Sequence, residues 1–60
     1  MTLENQILRD LASGRATADS IARRLKRETE VIEATLKHLL TGNKVTTSTL
    51  GPLLIYQLPP

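Results

Sequence analysis

The spacing of apolar residues predicts a helix at the start of the chain. Four of them recur at helical intervals and form one apolar face: Leu3, Ile7, Leu8 and Leu11. Thr2 suits the N-cap position, because its hydroxyl can accept a hydrogen bond from a free backbone N–H of the first turn. We therefore predict helix 1 from Leu3 to about Ser13, just before Gly14.

Two further helices are predicted to follow at short intervals. Helix 2 begins after Thr17, a second N-cap candidate, and helix 3 runs from Glu28 or Thr29 to about Gly42. Because Ala22 is small, helix 3 can cross helix 2 closely there, while larger residues fill the core. The apolar stripes consist of Ile21, Ala22 and Leu25 in helix 2, and of Ile32, Leu36, Leu39 and Leu40 in helix 3.

From Val45 the pattern changes from helical to alternating, which indicates strands. Hydroxyl residues precede Gly51 and Pro52, and a short apolar run follows them, so the segment predicts a β-hairpin. In its second strand we expect Leu54, Tyr56 and Leu58 to face the helices, and Ile55 and Gln57 to lie on the other side. Residues 1–60 are thus predicted to form a single α+β domain.

The composition favours a folded domain and excludes several kinds of chemistry. Hydrophobic residues make up 40% and charged residues 23% of the chain, as in ordinary globular domains. The absence of cysteine excludes disulfides and thiolate metal sites. No catalytic or metal-ligand pattern is present, so we expect no enzymatic activity, metal or cofactor. No apolar run approaches the ~20 residues that cross a bilayer, and no secretion signal opens the chain, so we expect a cytoplasmic protein without a membrane partner.

The order of these elements resembles the bacterial winged helix-turn-helix DNA-binding domain family. The matching positions are Ile21, Ala22 and Leu25 in helix 2, Ile32, Leu36 and Leu39 in helix 3, and Asn43 and Val45 at the entry to the first wing strand. The resemblance implies a three-helix bundle with a helix-turn-helix, followed by a C-terminal β-hairpin wing. In size and pattern the chain is also similar to small FeoC-like winged-helix proteins of bacterial ferrous iron uptake, although it lacks their cysteines.

The resemblance implies a small DNA-binding transcriptional regulator that acts on duplex DNA. We also expect a homodimer, because one such module makes few phosphate contacts. Residues 1–27 carry six basic and three acidic side chains, and the basic ones gather before helix 3. Cations bind backbone phosphates, whereas helix 3 would read base edges in the major groove. The candidates for phosphate contact are Arg15, Arg23, Arg24, Lys26, Arg27 and Lys44; those facing bases are Thr29, Glu30, Glu33 and Lys37; those on the wing are Thr46, Thr47, Ser48 and Thr49.

The acidic residues of helix 3 leave two alternatives open. Glu30 and Glu33 repel phosphate unless they accept a hydrogen bond from a base, so this face also suits a basic protein partner. The alternative function is therefore a winged-helix protein–protein interaction module that uses the acidic face of helix 3. Helix dipoles explain the same charge order without any partner, since acids favour the start of helix 3 and bases the end of helix 2.

Overall fold

The computed structural model describes residues 2–60 and shows an α+β fold. Three helices precede a two-stranded antiparallel hairpin, which is the arrangement of a winged helix and confirms the predicted fold class. The helices are α1 (Leu3–Ala12), α2 (Ala18–Leu25) and α3 (Thr29–Thr41), and the strands are β1 (Thr46–Leu50) and β2 (Leu53–Gln57). The predicted helix boundaries therefore hold to within about one residue.

Two threonine side chains begin the first two helices, as predicted. The Thr2 hydroxyl accepts a hydrogen bond from the Asn5 N–H at 3.2 Å, and the Thr17 hydroxyl accepts one from the Ser20 N–H at the same distance. Each bond satisfies a backbone donor that the helix itself leaves free. At the start of α3, Glu28 makes no such side-chain bond, so packing rather than capping fixes this helix.

The turn between α2 and α3 depends on a left-handed lysine. Lys26 has φ 57° and ψ 46°, and the following Arg27 N–H donates to the Ala22 carbonyl at 2.9 Å. A left-handed conformation costs a non-glycine residue about 1 kcal/mol. Asn43 has the same conformation after α3, with φ 59°, as its tolerance of positive φ predicts. Helices α2 and α3 are thus each followed by a single residue with positive φ, which ends the helix.

The hairpin is attached to the helices through the loop before α2. Strands β1 and β2 pair from Thr46 with Gln57 to Leu50 with Leu53. On its other edge, β2 exchanges two hydrogen bonds with Ala16: the Tyr56 N–H donates to the Ala16 carbonyl at 2.7 Å, and the Ala16 N–H donates back at 3.0 Å. A single bridging residue has no alternating pattern, so the sequence did not predict this contact.

The core lies where the three helices meet the base of the hairpin. Its fully buried side chains are Ile7, Ile21, Ile32, Leu36, Leu39 and Val45. Ala22 and Tyr56 belong to the same cluster, and Leu25 packs against it while partly exposed. The predicted helix stripes are therefore confirmed as the core. Each large aliphatic side chain buried in this way contributes about 1.5–3 kcal/mol.

The predicted facing of β2 is correct at its base and wrong toward its tip. Tyr56 is buried and Leu58 packs against the core, as expected. Leu54, however, is 47% exposed, whereas Ile55, predicted to lie outside, is only 8% exposed. Two-stranded ribbons twist strongly, so one face does not point at the same neighbour along the whole strand. The strict alternation of buried and exposed side chains therefore fails at Leu54 and Ile55, close to the hairpin turn.

Candidate nucleic-acid interface and adjoining groove

One side of α3 is exposed from Glu30 to Lys37. Glu30, Glu33 and Lys37 are exposed and Thr29 is half-buried, whereas the opposite side carries the buried core residues. Residues three or four positions apart lie on the same helix face, so the structure brings these four predicted base-facing residues together. An exposed helix that follows a tight turn is the element that helix-turn-helix proteins insert into the major groove.

Two of the six predicted phosphate contacts are held in ion pairs. Arg24 Nε and Nη2 donate to Asp10 Oδ1 and Oδ2, both at 2.8 Å. The hydrogen bond to Asp10 raises the pKa of Arg24, so the guanidinium stays charged. Arg23 Nη2 lies 3.2 Å from Asp19 Oδ2, four residues earlier on α2. These carboxylates compete with phosphate for both arginines.

The other predicted cations have no acidic partner within 4.0 Å among residues 2–60. Four of them are the remaining phosphate candidates and the fifth, Lys37, is a base-facing candidate on α3. All five are exposed: Arg15, Lys26, Arg27, Lys37 and Lys44. Lys26 and Arg27 precede α3, and Lys44 follows its C-terminal turn. Since α3 has 13 residues, it separates these charges by roughly 20 Å. Free positive charge therefore lies at both ends of the exposed helix.

The wing combines a hydroxyl-rich strand with an apolar tip. Thr47, Ser48 and Thr49 are exposed, while Thr46 at the base of β1 is half-buried. At the tip, Leu50 is 59%, Leu53 49% and Leu54 47% exposed. The hydroxyl side chains of β1 therefore lie on the wing beside the leucine surface of its tip. This leucine surface offers no hydrogen bond to phosphate.

A groove of about 290 Å³ lies between the wing and the first turns of α2 and α3. Its helix side carries Asp19, Thr29 and Glu33, its wing side carries Leu53 and Leu54, and Tyr56 lies at its base. The Thr29 hydroxyl donates to Asp19 Oδ1 at 3.5 Å. None of the described lysines or arginines lines the groove. It is therefore acidic on one side and apolar on the other.

Tyr56 and Glu33 interact electrostatically across this groove. Burial raises the pKa of Tyr56, and the negative charge of Glu33 raises it further. Glu33 and Lys37 lie four residues apart on α3 but do not form an ion pair within 4.0 Å. Glu33 thus has no ion-pair partner within residues 2–60. The sequence analysis named Glu33 as a candidate site residue but not Asp19. The helix dipole alone explains an acidic residue in the first turn of α2, so nothing in the sequence marked Asp19 as part of a site.

Comparison with protein-family models, with curated proteins and with solved structures finds no match for this chain. None of the helices described in residues 2–60 is long and apolar enough to cross a membrane. Among residues 2–60, no three His, Asp or Glu side chains lie close enough together to hold a metal ion. What the protein does is therefore inferred from the exposed helix, the cations at its ends and the groove beside it.

Proposed function

We propose that the protein is a small DNA-binding transcriptional regulator that contacts duplex DNA with its helix-turn-helix and wing. The observation that supports this proposal is the distribution of unpaired cations. Lys26 and Arg27 precede the exposed α3 and Lys44 follows it, and none of the three has a carboxylate partner among residues 2–60. Unpaired lysine and arginine are free to release condensed counterions from DNA, which is the main source of sequence-independent affinity.

In the bound state α3 occupies the major groove, which is about 12 Å wide and admits one helix. Lys26, Arg27 and Lys44 contact backbone phosphates on either side of it. Lys37 can donate to guanine O6 or N7, and Glu30 can accept from cytosine N4. Phosphate contacts fix the position of the helix, and the contacts of these two side chains with base edges select the sequence.

Arg24 and Arg23 have a structural role in this proposal. Arg24 is held by both oxygens of Asp10, and Arg23 lies against Asp19. Moving either arginine to a phosphate would leave a carboxylate unpaired near DNA, and like charges repel. The phosphate contact is therefore assigned to the turn residues that follow them.

A dimer suits this small number of contacts. Three or four phosphate contacts give one domain only weak affinity, in the range of about 10⁻⁴–10⁻⁶ M at physiological salt. A dimer could bind two half-sites that are separated by one turn of the DNA helix, or by a multiple of one turn. Its total number of phosphate contacts would then be twice that of one domain. We therefore expect tight binding only to a site with two half-sites.

The experiment is a titration of random-sequence duplex DNA by fluorescence anisotropy at several salt concentrations. Replacing Lys26 and Arg27 by glutamine should reduce the slope of log K against log salt by about 0.9 for each lost phosphate contact. The matched control is Arg9→Gln, which removes an exposed arginine on α1 that has no carboxylate partner within residues 2–60. Its slope should equal that of the unchanged protein.

Two results would contradict the proposal. Absence of binding to duplex DNA even at low salt would remove DNA as the partner. Equal effects of Arg9→Gln and of the changes at Lys26 and Arg27 would mean that any attraction comes from net charge alone, with no oriented contact by the helix-turn-helix.

A further inference from the structure

We infer that the groove between the wing and the first turns of α2 and α3 binds a segment of another protein that carries a basic and an aliphatic side chain. In this complex the basic side chain pairs with Glu33, and the aliphatic one packs against Leu53 and Leu54. The charge and the apolar surface of the groove support this choice of partner, as does the position of the groove beside the exposed helix.

Charge complementarity identifies the basic half of the partner. Asp19 and Glu33 line the helix side, and the groove contains no described lysine or arginine. Arg23 already lies 3.2 Å from Asp19, but Glu33 has no ion-pair partner in residues 2–60. An incoming arginine or lysine would give Glu33 the partner it lacks. A phosphate backbone in the same place would be repelled by Glu33 and Asp19.

The leucines identify the apolar half. Leu53 and Leu54 are 49% and 47% exposed on the wing side of the same groove. Covering a half-exposed leucine removes apolar surface from water, which stabilises a complex. A groove of about 290 Å³ is just below the usual range of small-molecule sites, which begins at about 300 Å³. It has room for a few side chains of a peptide segment.

The segment and DNA would compete, because they share part of one surface. Thr29 and Glu33 line the groove and also belong to the exposed side of α3. An occupied groove therefore covers the start of the helix that we propose enters the major groove. The competition rests on the proposed DNA binding, but the docking itself does not, since it depends only on the groove.

The test uses the whole protein and a short fluorescent peptide that alternates leucine with arginine. Two control peptides replace arginine by glutamate or leucine by serine. Binding is measured by anisotropy without DNA, so the result does not depend on whether the protein binds duplex. We expect the leucine–arginine peptide to bind and both controls to bind at least tenfold more weakly.

Protein variants locate the site. Glu33→Gln should weaken binding about fivefold through loss of a partly exposed ion pair, and Leu54→Ser about tenfold through loss of apolar contact. The matched controls are Glu28→Gln and Leu50→Ser, an exposed acid and an exposed leucine that do not line the groove. They should leave peptide affinity unchanged. All four changes are at exposed positions, and circular dichroism verifies that each variant is folded.

Several outcomes would overturn the inference. Equal binding of the three peptides, or equal losses in the groove and control variants, would show that the groove is not the site. Sedimentation of the unchanged protein as a dimer that Leu54→Ser converts to a monomer would make a second copy the occupant. If the peptide fails to bind while Glu33→Gln and Leu54→Ser both weaken duplex binding, the groove contacts DNA instead.

Discussion

The Arg24 guanidinium holds the Asp10 carboxylate in two parallel hydrogen bonds of 2.8 Å, one from Nε and one from Nη2. The pair joins α2 to α1 across 14 residues of sequence. The Asp10 side chain is only 14% exposed, whereas that of Arg24 is 50% exposed. A two-point contact of this kind fixes direction as well as distance, so the pair orients the first two helices relative to each other.

The first prediction is that Asp10 and Arg24 act as a unit in stability. Asp10→Asn and Arg24→Gln should each lower the melting temperature, and the double variant should lose less than the sum of the two. Each loss should be smaller than the ~2–5 kcal/mol expected for Leu36→Ala in the core. Thermal unfolding followed by circular dichroism measures the unchanged protein, the two single variants, the double variant and Leu36→Ala. Strictly additive losses would show that Asp10 and Arg24 are not coupled.

Arg24→Gln also separates the structural role from DNA binding. Since Arg24 is already held by Asp10, its loss should leave the salt slope for duplex DNA unchanged. The corresponding change at Arg27, which has no carboxylate partner among the described residues, should reduce the slope. A reduced slope for Arg24→Gln would return this arginine to the phosphate contacts.

The second prediction concerns the left-handed turn residue. Lys26 has φ 57°, and glycine adopts this conformation without steric cost. Lys26→Gly should therefore stabilise the fold by about 0.5–1 kcal/mol, after allowing for the greater freedom of glycine in the unfolded chain. Lys26→Ala is the control, because it removes the same charge and keeps the strain. Urea unfolding that gives both variants the same stability would contradict strain at this position.

The third prediction concerns the cap of α2. Thr17→Ala removes the hydroxyl that accepts from the Ser20 N–H and should destabilise the protein by about 1 kcal/mol. Thr17→Ser keeps the hydroxyl and should lose much less. Chemical denaturation distinguishes the two. Equal losses would mean that packing of the threonine methyl group, rather than the cap, stabilises this end of the helix.

Local signals were sufficient to predict the elements of this fold. Thr2 and Thr17 fixed the starts of two helices, and the stripe around Ile32 and Leu36 fixed the buried side of the third. The facing of Leu54 and Ile55 was not predictable by alternation, because it depends on how the hairpin twists beyond the helices. The periodicity of a sequence describes one strand or helix at a time. The burial of a residue near the hairpin tip depends on how both strands lie relative to the helices.

The candidate site was predictable only in part, because some of its features depend on contacts between different helices and strands. Sequence patterns placed Glu30, Glu33 and Lys37 on one exposed face, and the structure agrees. They could not show which cations are free, because the partner of Arg24 lies on another helix. The sequence could not show the groove either, because Glu33 on α3 and Leu54 on β2 come to line one groove only in the folded chain.

The fourth prediction uses Tyr56, the only aromatic residue of the chain, as a probe of the groove. Burial raises its pKa above the ordinary value of 10.0, and Glu33 raises it further. The neutral phenol is therefore favoured in the folded state. Its contribution to stability is fully present below pH 10.0 and is lost as the pH rises through the higher folded pKa. The tyrosinate absorbance of the folded protein should accordingly appear above pH 10.0.

Glu33→Gln should lower the pKa of Tyr56 while leaving it above 10.0, because burial is the larger cause and remains. Glu28→Gln removes a charge from the start of the same helix and should leave the Tyr56 midpoint unchanged. The same titration with the leucine–arginine peptide bound should resemble Glu33→Gln, because a cation paired with Glu33 cancels its field. If removing Glu33 left the midpoint where it was, Glu33 would not face the base of the groove, and its proposed contact with a basic partner would lose its geometric support.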